Sequence, residues 1–338
     1  MENIDMERHL IADFSQTYGR EPVIAVMPNG GLVCVIVTGG PTEPHNDNYV
    51  VICRSNDEGR TWTKPEVLFS HKSLGVWATE IFTDGEVPMM AVHTYNALNP
   101  SKELQTFISY TYDNGQSWSS PVTMMPHCNG YCIRKGITLS NGDILFAVYF
   151  DSIKEGFGEF PEFGKVGFGG GIDHACGVLI SSDGGKTFTP YGYFPEKLWE
   201  PNCVELENGH ILMYMRDSKQ ARINAAESFD YGRTWTHIGP IETCNADTKI
   251  AMEKINGKVL MVSNVYDGMA FLDRKALQIR ISDDLCKTWR EPIYVDDPEK
   301  PFFYPHIAVD EKKSLVYVAY ENARQHYVKK YSFEELEI

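Results

Sequence analysis

The sequence predicts an all-β fold, a six-bladed β-propeller, on three observations. An octapeptide at Ser55 (SNDEGRTW) returns in variant copies at Thr111 (TYDNGQSW), Ser181 (SSDGGKTF), Ser228 (SFDYGRTW) and Ser282 (SDDLCKTW), placing its Asp at 57, 113, 183, 230 and 284. Such repetition marks a repeat architecture. Alternating with these copies are Asn29-Gly30, Asp84-Gly85, Asn141-Gly142, Asn208-Gly209 and Asn256-Gly257, each between two apolar runs, as in two-residue hairpins. Two hairpin turns per unit give four antiparallel strands, and units spaced 47 to 70 residues apart are the size of propeller blades. After the fifth copy only three strand-like runs remain, 304–309, 314–320 and 326–331, without a further octapeptide. The run HLIADF at 9–14 supplies the missing strand, closing a ring of six with no long free edge.

Each element has a local cause. In the octapeptide, Asp accepts backbone N–H groups two or three residues ahead, Gly takes the positive φ of a tight turn, and Trp or Phe pins the turn to the sheet below. The flanks, such as SYTYD before and Thr63, Thr189 and Thr236 after, are β-prone. In the fifth copy Cys286 stands where Gly belongs. The 70-residue spacing between the second and third copies is explained by a Gly-, Phe- and Glu-rich insertion over 151–173, a lid or a subunit contact.

Composition bounds the class. The chain of 338 residues reads as a single domain over 1–338, with no linker or low-complexity run. A net charge of −15 argues against a nucleic-acid partner. The opening MENIDMERHLIADF lacks a basic start and an apolar core, and no 18-residue apolar stretch follows, so the expectation is a cytoplasmic protein without a membrane partner. The eight cysteines sit mostly in strand-like runs, as reduced, buried thiols. His127, Cys128 and Cys132 form the one metal-like cluster, and without a second pair of ligands no metal or other cofactor is expected.

In a propeller the first strand of each blade begins at the central funnel. Blade one begins Arg20-Glu21-Pro22, blade four Trp199-Glu200-Pro201 and blade six Phe303-Tyr304-Pro305. Arg216 ends the second strand of blade four, and Arg274 precedes the third strand of blade five. Arg20, Arg216, Arg274, Glu200 and Tyr304 thus converge, and such charge is costly to gather unless something anionic binds it. His93 joins them as a further substrate-side candidate.

These residues resemble the exo-sialidase (neuraminidase) superfamily, whose bacterial members carry Asp boxes (BNR repeats) on a six-bladed propeller. The resemblance runs the length of the chain. Arg20 with Pro22 is similar to the family's N-terminal Arg-x-Pro, and Arg216 and Arg274 to the other two arginines of its carboxylate-binding triad. Glu200, sixteen residues before Arg216, resembles the base, and Tyr304, thirty after Arg274, the nucleophile. The resemblance implies a retaining glycosidase that removes a terminal acidic sugar through a covalent glycosyl-tyrosine. The chemistry suits the residue types: guanidiniums grip a carboxylate in bidentate fashion, and a neutral phenol, unlike a carboxylate nucleophile, is not repelled by it.

The chain departs from the family in blade one. Gly39 and Gly40 stand where an additional Arg is usual, and the proton donor is sought among Asp47, Glu43 and His45 of GGPTEPHNDNY, with Asp47 preferred. Two alternatives remain: a lyase or another hydrolase working through His45 or His93, and a propeller that binds acidic sugars or oligosaccharides without catalysis.

Overall fold

A computed structural model describes residues 7–98, 104–124, 130–151, 174–194 and 198–338 of the protein, and in it six antiparallel sheets follow one another in chain order. Blade one is β2 (Gly19–Val26), β3 (Leu32–Thr38), β4 (Tyr49–Ser55) and β5 (Glu66–Phe69); blade two is β6 (Gly75–Phe82), β7 (Met89–Tyr95) and β8 (Gln105–Tyr110). Blade three is β9 (Tyr131–Thr138), β10 (Ile144–Asp151), β11 (His174–Ser181) and β12 (Thr189–Phe194). Blade four is β13 (Leu198–Glu207), β14 (His210–Asp217), β15 (Arg222–Ser228) and β16 (Thr236–Cys244). Blade five is β17 (Ala251–Ile255), β18 (Lys258–Asn264), β19 (Leu277–Ser282) and β20 (Ile293–Tyr294).

Blade six joins β21 (Phe303–Asp310), β22 (Leu315–Glu321) and β23 (Gln325–Ser332) to β1 (His9–Asp13), which pairs antiparallel with β23 from His9↔Val328 to Asp13↔Gln325. The ring is therefore closed by the N-terminal strand, as the missing strand of blade six required. Blade two departs from four full strands: a single bridge, Ile108↔Val122, stands where its outer strand would run. The insertion at 151–173 falls, after its first residue, outside the described residues, as do His127 and Cys128.

The octapeptides form the turns between third and fourth strands. In the first, Ser55 Oγ donates to Asp57 (2.8 Å) and accepts Gly59 N–H (3.0 Å), and Asp57 accepts both the N–H and the hydroxyl of Thr61 (2.9 and 2.6 Å). Asp57 therefore reaches four residues ahead, farther than expected, and these bonds hold its carboxyl down to about 2. The φ of +80° at Gly59 is the left-handed conformation that Gly adopts without steric cost.

The core lies between blades as six apolar clusters, one per interface. The box aromatics Trp62, Trp118, Phe188, Trp235 and Trp289 each pack into the interface with the preceding blade. Blade six has no box, and its interface with blade five is filled instead by Phe302, Tyr320, Tyr327, Tyr331, Phe333 and Leu336. No disulfide joins the seven cysteines among the described residues, and no helix among them is long and apolar enough to cross a membrane.

Candidate active site

The inner strands β2, β13 and β21 break register at the same place, between Arg20 and Val23, Trp199 and Asn202, and Phe303 and His306. Each break is a bulge whose central residue has positive φ: Glu21 (53°), Glu200 (49°) and Tyr304 (53°). Each is followed by proline, which has no N–H to leave unpaired where the ladder opens. Non-glycine residues at positive φ are strained and tend to mark functional sites. Here the strain aims three chemically active side chains at the axis.

Tyr304 and Glu200 meet there. The phenol donates to Glu200 Oε1 at 3.0 Å and accepts from Arg216 Nη1 at 3.1 Å, while the same Nη1 donates to Glu200 Oε2 at 3.1 Å. Burial alone would raise the Glu200 carboxyl, but Arg216 and Arg134 outweigh it and hold it down to about 2. Burial, then the Glu200 charge, pushes the Tyr304 phenol well up.

The arginines surround this pair. Arg20 donates through Nε to Glu321 at 2.7 Å and stands 4.6 Å from the Tyr304 ring centre. Arg216 is anchored through Nε by Asp247, which Ser218 also holds at 2.7 Å. Arg274, delivered by the 3-10 turn Phe271–Asp273, lies 5.2 to 5.4 Å from the rings of Phe271, Phe303 and Tyr304. Its Nε and Nη1 are buried and make no hydrogen bond. Unpaired buried donors on a cation are costly, and an anionic ligand would satisfy them.

In the 39–48 loop, Asn48, 1% exposed, donates to the carbonyls of Gly39 and Thr42 and accepts the N–H of His45 at 2.8 Å. That arrangement turns Glu43 inward. Its carboxylate is 3.7 Å from Arg20 Nη1 and 3.3 Å from the Tyr18 hydroxyl, and burial, then the Glu21 charge, pushes it up to about 8 against the pull of Arg20.

The structure thus gathers Arg20, Arg216, Arg274, Glu200, Tyr304 and Glu43, and places the other three candidates, Asp47, His45 and His93, apart from them. The Asp47 side chain is 79% exposed and lies 3.5 Å from the half-buried His45 ring; neither makes a hydrogen bond or ion pair with the arginines or with Tyr304 and Glu200. His93 is fully buried behind the funnel wall, with Nε2 2.7 Å from the Thr79 hydroxyl and Nδ1 3.1 Å from that of Thr106. Burial, then Arg134, pushes its imidazole down to about 3, so it is a neutral core residue. Cys132 is buried against the same group, and no cluster of three metal-ligating side chains occurs among the described residues.

Sequence reasoning missed three supports. Arg134, 2% exposed, donates to Glu21 (3.1 Å) and Glu200 (3.3 Å), while Glu321 and Asp247 orient Arg20 and Arg216. Arg134 sits at a register break on β9, as Glu200 does on β13, but without the proline that follows Glu200. A separate cavity of about 470 Å³ opens among Glu80, Lys135, Glu253 and His306 and shares no residue with this site.

The fold and this array of guanidiniums, tyrosine and glutamate define a sialidase-like propeller. The BNR repeat-like domain family matches residues 35–318, and the chain belongs to it. It is 23% identical over 320 residues to a sialidase of Bacteroides fragilis, aligning 82% of this chain and 54% of that one, so it spans about half the length of this relative. Among solved structures it resembles a Hadza microbial sialidase (TM-score 0.75, 18% identity, covering 94% of this chain and 66% of that one). It also resembles the Trypanosoma rangeli sialidase in complex with the inhibitor DANA (0.71, 16%, 97% and 56%). A Dyadobacter fermentans protein of unknown function matches nearly end to end (0.72, 17%, 96% and 97%).

Proposed function

We propose that the protein is a retaining exo-glycoside hydrolase that removes a terminal acidic sugar of the sialic acid class. The observation that carries this reading is the Tyr304–Glu200 hydrogen bond among three arginines, one of which, Arg274, keeps buried donors unpaired. The sugar carboxylate binds Arg20, Arg216 and Arg274. Glu200 takes the phenolic proton as Tyr304 oxygen bonds to the anomeric carbon, and Glu43, protonated through neutral pH, gives its proton to the departing oxygen. The Glu43 carboxylate then takes a proton from water, whose oxygen displaces Tyr304. The phenolate recovers its proton from Glu200, restoring the enzyme with net retention at the anomeric carbon.

The reading is supported by a relative and fold neighbours that are sialidases. A histidine-based mechanism has less support, because His93 is sealed off and the half-buried His45 pairs with Asp47 rather than with the arginines, Tyr304 or Glu200. The test is trapping. A fluorinated acidic-sugar donor that glycosylates quickly and hydrolyses slowly is expected to add one sugar mass to the peptide containing Phe303-Tyr304-Pro305, and Tyr304→Phe to abolish the adduct. Donor bound at the site without an adduct would leave a binding protein, and an unsaturated product would indicate a lyase.

A further inference from the structure

Arg134 is the guanidinium to which that reaction assigns no task, although it touches the proposed base. It projects from β9 at the irregularity between Ile133 and Lys135 and is 2% exposed. Its two terminal nitrogens bridge carboxylates of different blades, Glu21 Oε2 at 3.1 Å and Glu200 Oε1 at 3.3 Å. The oxygen it holds on Glu200 is the one that accepts the Tyr304 hydroxyl; the other oxygen belongs to Arg216. The two cations are not equivalent. Arg216 lies where the substrate carboxylate binds and must share its charge with that ligand, whereas Arg134 is closed from solvent and spends both arms on protein carboxylates.

We propose that Arg134 is a positioning residue that keeps Glu200 ionised and its Oε1 turned toward Tyr304 while substrate occupies Arg216. The inference rests on the glycosidase reading. A buried carboxylate that loses its cation is neutralised by taking up a proton, and protonated Glu200 is no base. The groups acting on Glu200 come from every side: Arg134 from β9, Arg216 from β14, Tyr304 from β21, Glu21 from β2 through the shared Arg134, and Lys249, just before β17. Lys249 makes no ion pair with Glu200, and burial, then Arg134, lowers its ammonium to about 8. Arg134 is thus the cation that contacts Glu200 without also facing substrate.

The test compares Arg134→Gln and Arg134→Lys with wild type. In the Gln variant the acid limb of kcat against pH is expected to move up by about one to three units, the range an adjacent opposite charge imposes on a carboxyl. Below that limb kcat falls at least about tenfold, while KM, set by the substrate-facing arginines, changes little. The Lys variant, with a point charge that cannot span both carboxylates, shows a smaller displacement in the same direction. In ligand-free protein labelled with 13C at the glutamate carboxyls, the Glu200 resonance, assigned through Glu200→Gln, titrates higher in both variants. An acid limb and a Glu200 titration that stay at their wild-type positions in the folded variants overturn the proposal. If the Gln variant does not fold, the Lys variant decides alone. If the protein cleaves no acidic-sugar glycoside, the glycosidase reading fails, while the carbon titration still judges Arg134.

Discussion

The Tyr304 hydroxyl lies 3.0 Å from Glu200 Oε1, although 104 residues separate the two and each sits at positive φ before a proline. Two rigid inner strands therefore hold the pair, and no loop has to close to assemble it. At rest the proton stays on the phenol, because Arg216 and Arg134 stabilise the carboxylate while burial opposes the phenolate. An arriving carboxylate that competes for Arg216 makes Glu200 more basic. In the proposed reaction, substrate binding thus makes Glu200 a stronger base toward the Tyr304 hydroxyl.

In the proposed reaction Glu43, as the acid, sets the alkaline limb. An acid must be protonated to act, so kcat is expected to fall as pH rises through about 8, the value to which burial and Glu21 push this carboxyl. Glu43→Gln should remove that limb and slow substrates with poor leaving groups by about 100-fold or more, while activated aryl glycosides lose far less. Asp47→Asn should behave like wild type. Steady-state pH profiles with both substrate classes check this, and a full loss in Asp47→Asn with none in Glu43→Gln would reverse the assignment.

Arg274 is expected to dominate ligand affinity, since its buried donors have no partner within the protein. Arg274→Ala should weaken binding of an acidic monosaccharide by about 2–4 kcal/mol in titration calorimetry, and Arg274→Lys should recover little, an ammonium lacking the planar fork. Equal affinity in wild type and the Ala variant would make Arg274 structural.

Trp62 plugs the interface between blades six and one and donates through Nε1 to Gly59 O at 2.9 Å. Trp62→Ala should cost about 2–4 kcal/mol in denaturant unfolding, the range for truncating a packed aromatic that keeps some exposure. KM should not change, because the box lies away from the funnel.

Removing residues 1–14 strips β1 from blade six, exposing the edge of β23 and the buried Ile11 and Ala12 contacts. The melting temperature is expected to drop by about 10 °C or more, with concentration-dependent association through the bared edge. A variant that melts with wild type would show that closure contributes no stability.

What was legible in the sequence was what local chemistry dictates. The turn residues Ser55, Asp57, Gly59, Thr61 and Trp62 bond to one another within eight positions, so their recurrence revealed the blades and the turns between them. Glu200 and Tyr304 were legible because each opens the first strand of a blade, at the funnel, and because their spacing from Arg216 and Arg274 resembles that of the sialidase family. Glu43 and Asp47 were not separable, because the choice of which loop carboxylate turns inward is made by Asn48, whose side chain pins Gly39 and Thr42. Arg134 and Glu321 carried no turn or proline signal, and their roles arise only when blades three and six meet blades four and one. His93 misled because a polar residue in a strand reads alike whether it faces a ligand or two threonine hydroxyls.

The pairing of β1 with β23 also fixes an order of events in the cell. Asp13 and Gln325, bonded at 3.0 Å, are 312 residues apart, so the ring cannot be sealed until almost the whole stretch between them has left the ribosome. At about 5–20 residues per second that interval is roughly 15–60 s, during which five blades can form as an open arc while the first strand waits unpaired. Blade six, which also supplies Tyr304, is then completed last, and the Tyr304–Glu200 hydrogen bond forms only once β21 has emerged, late in synthesis.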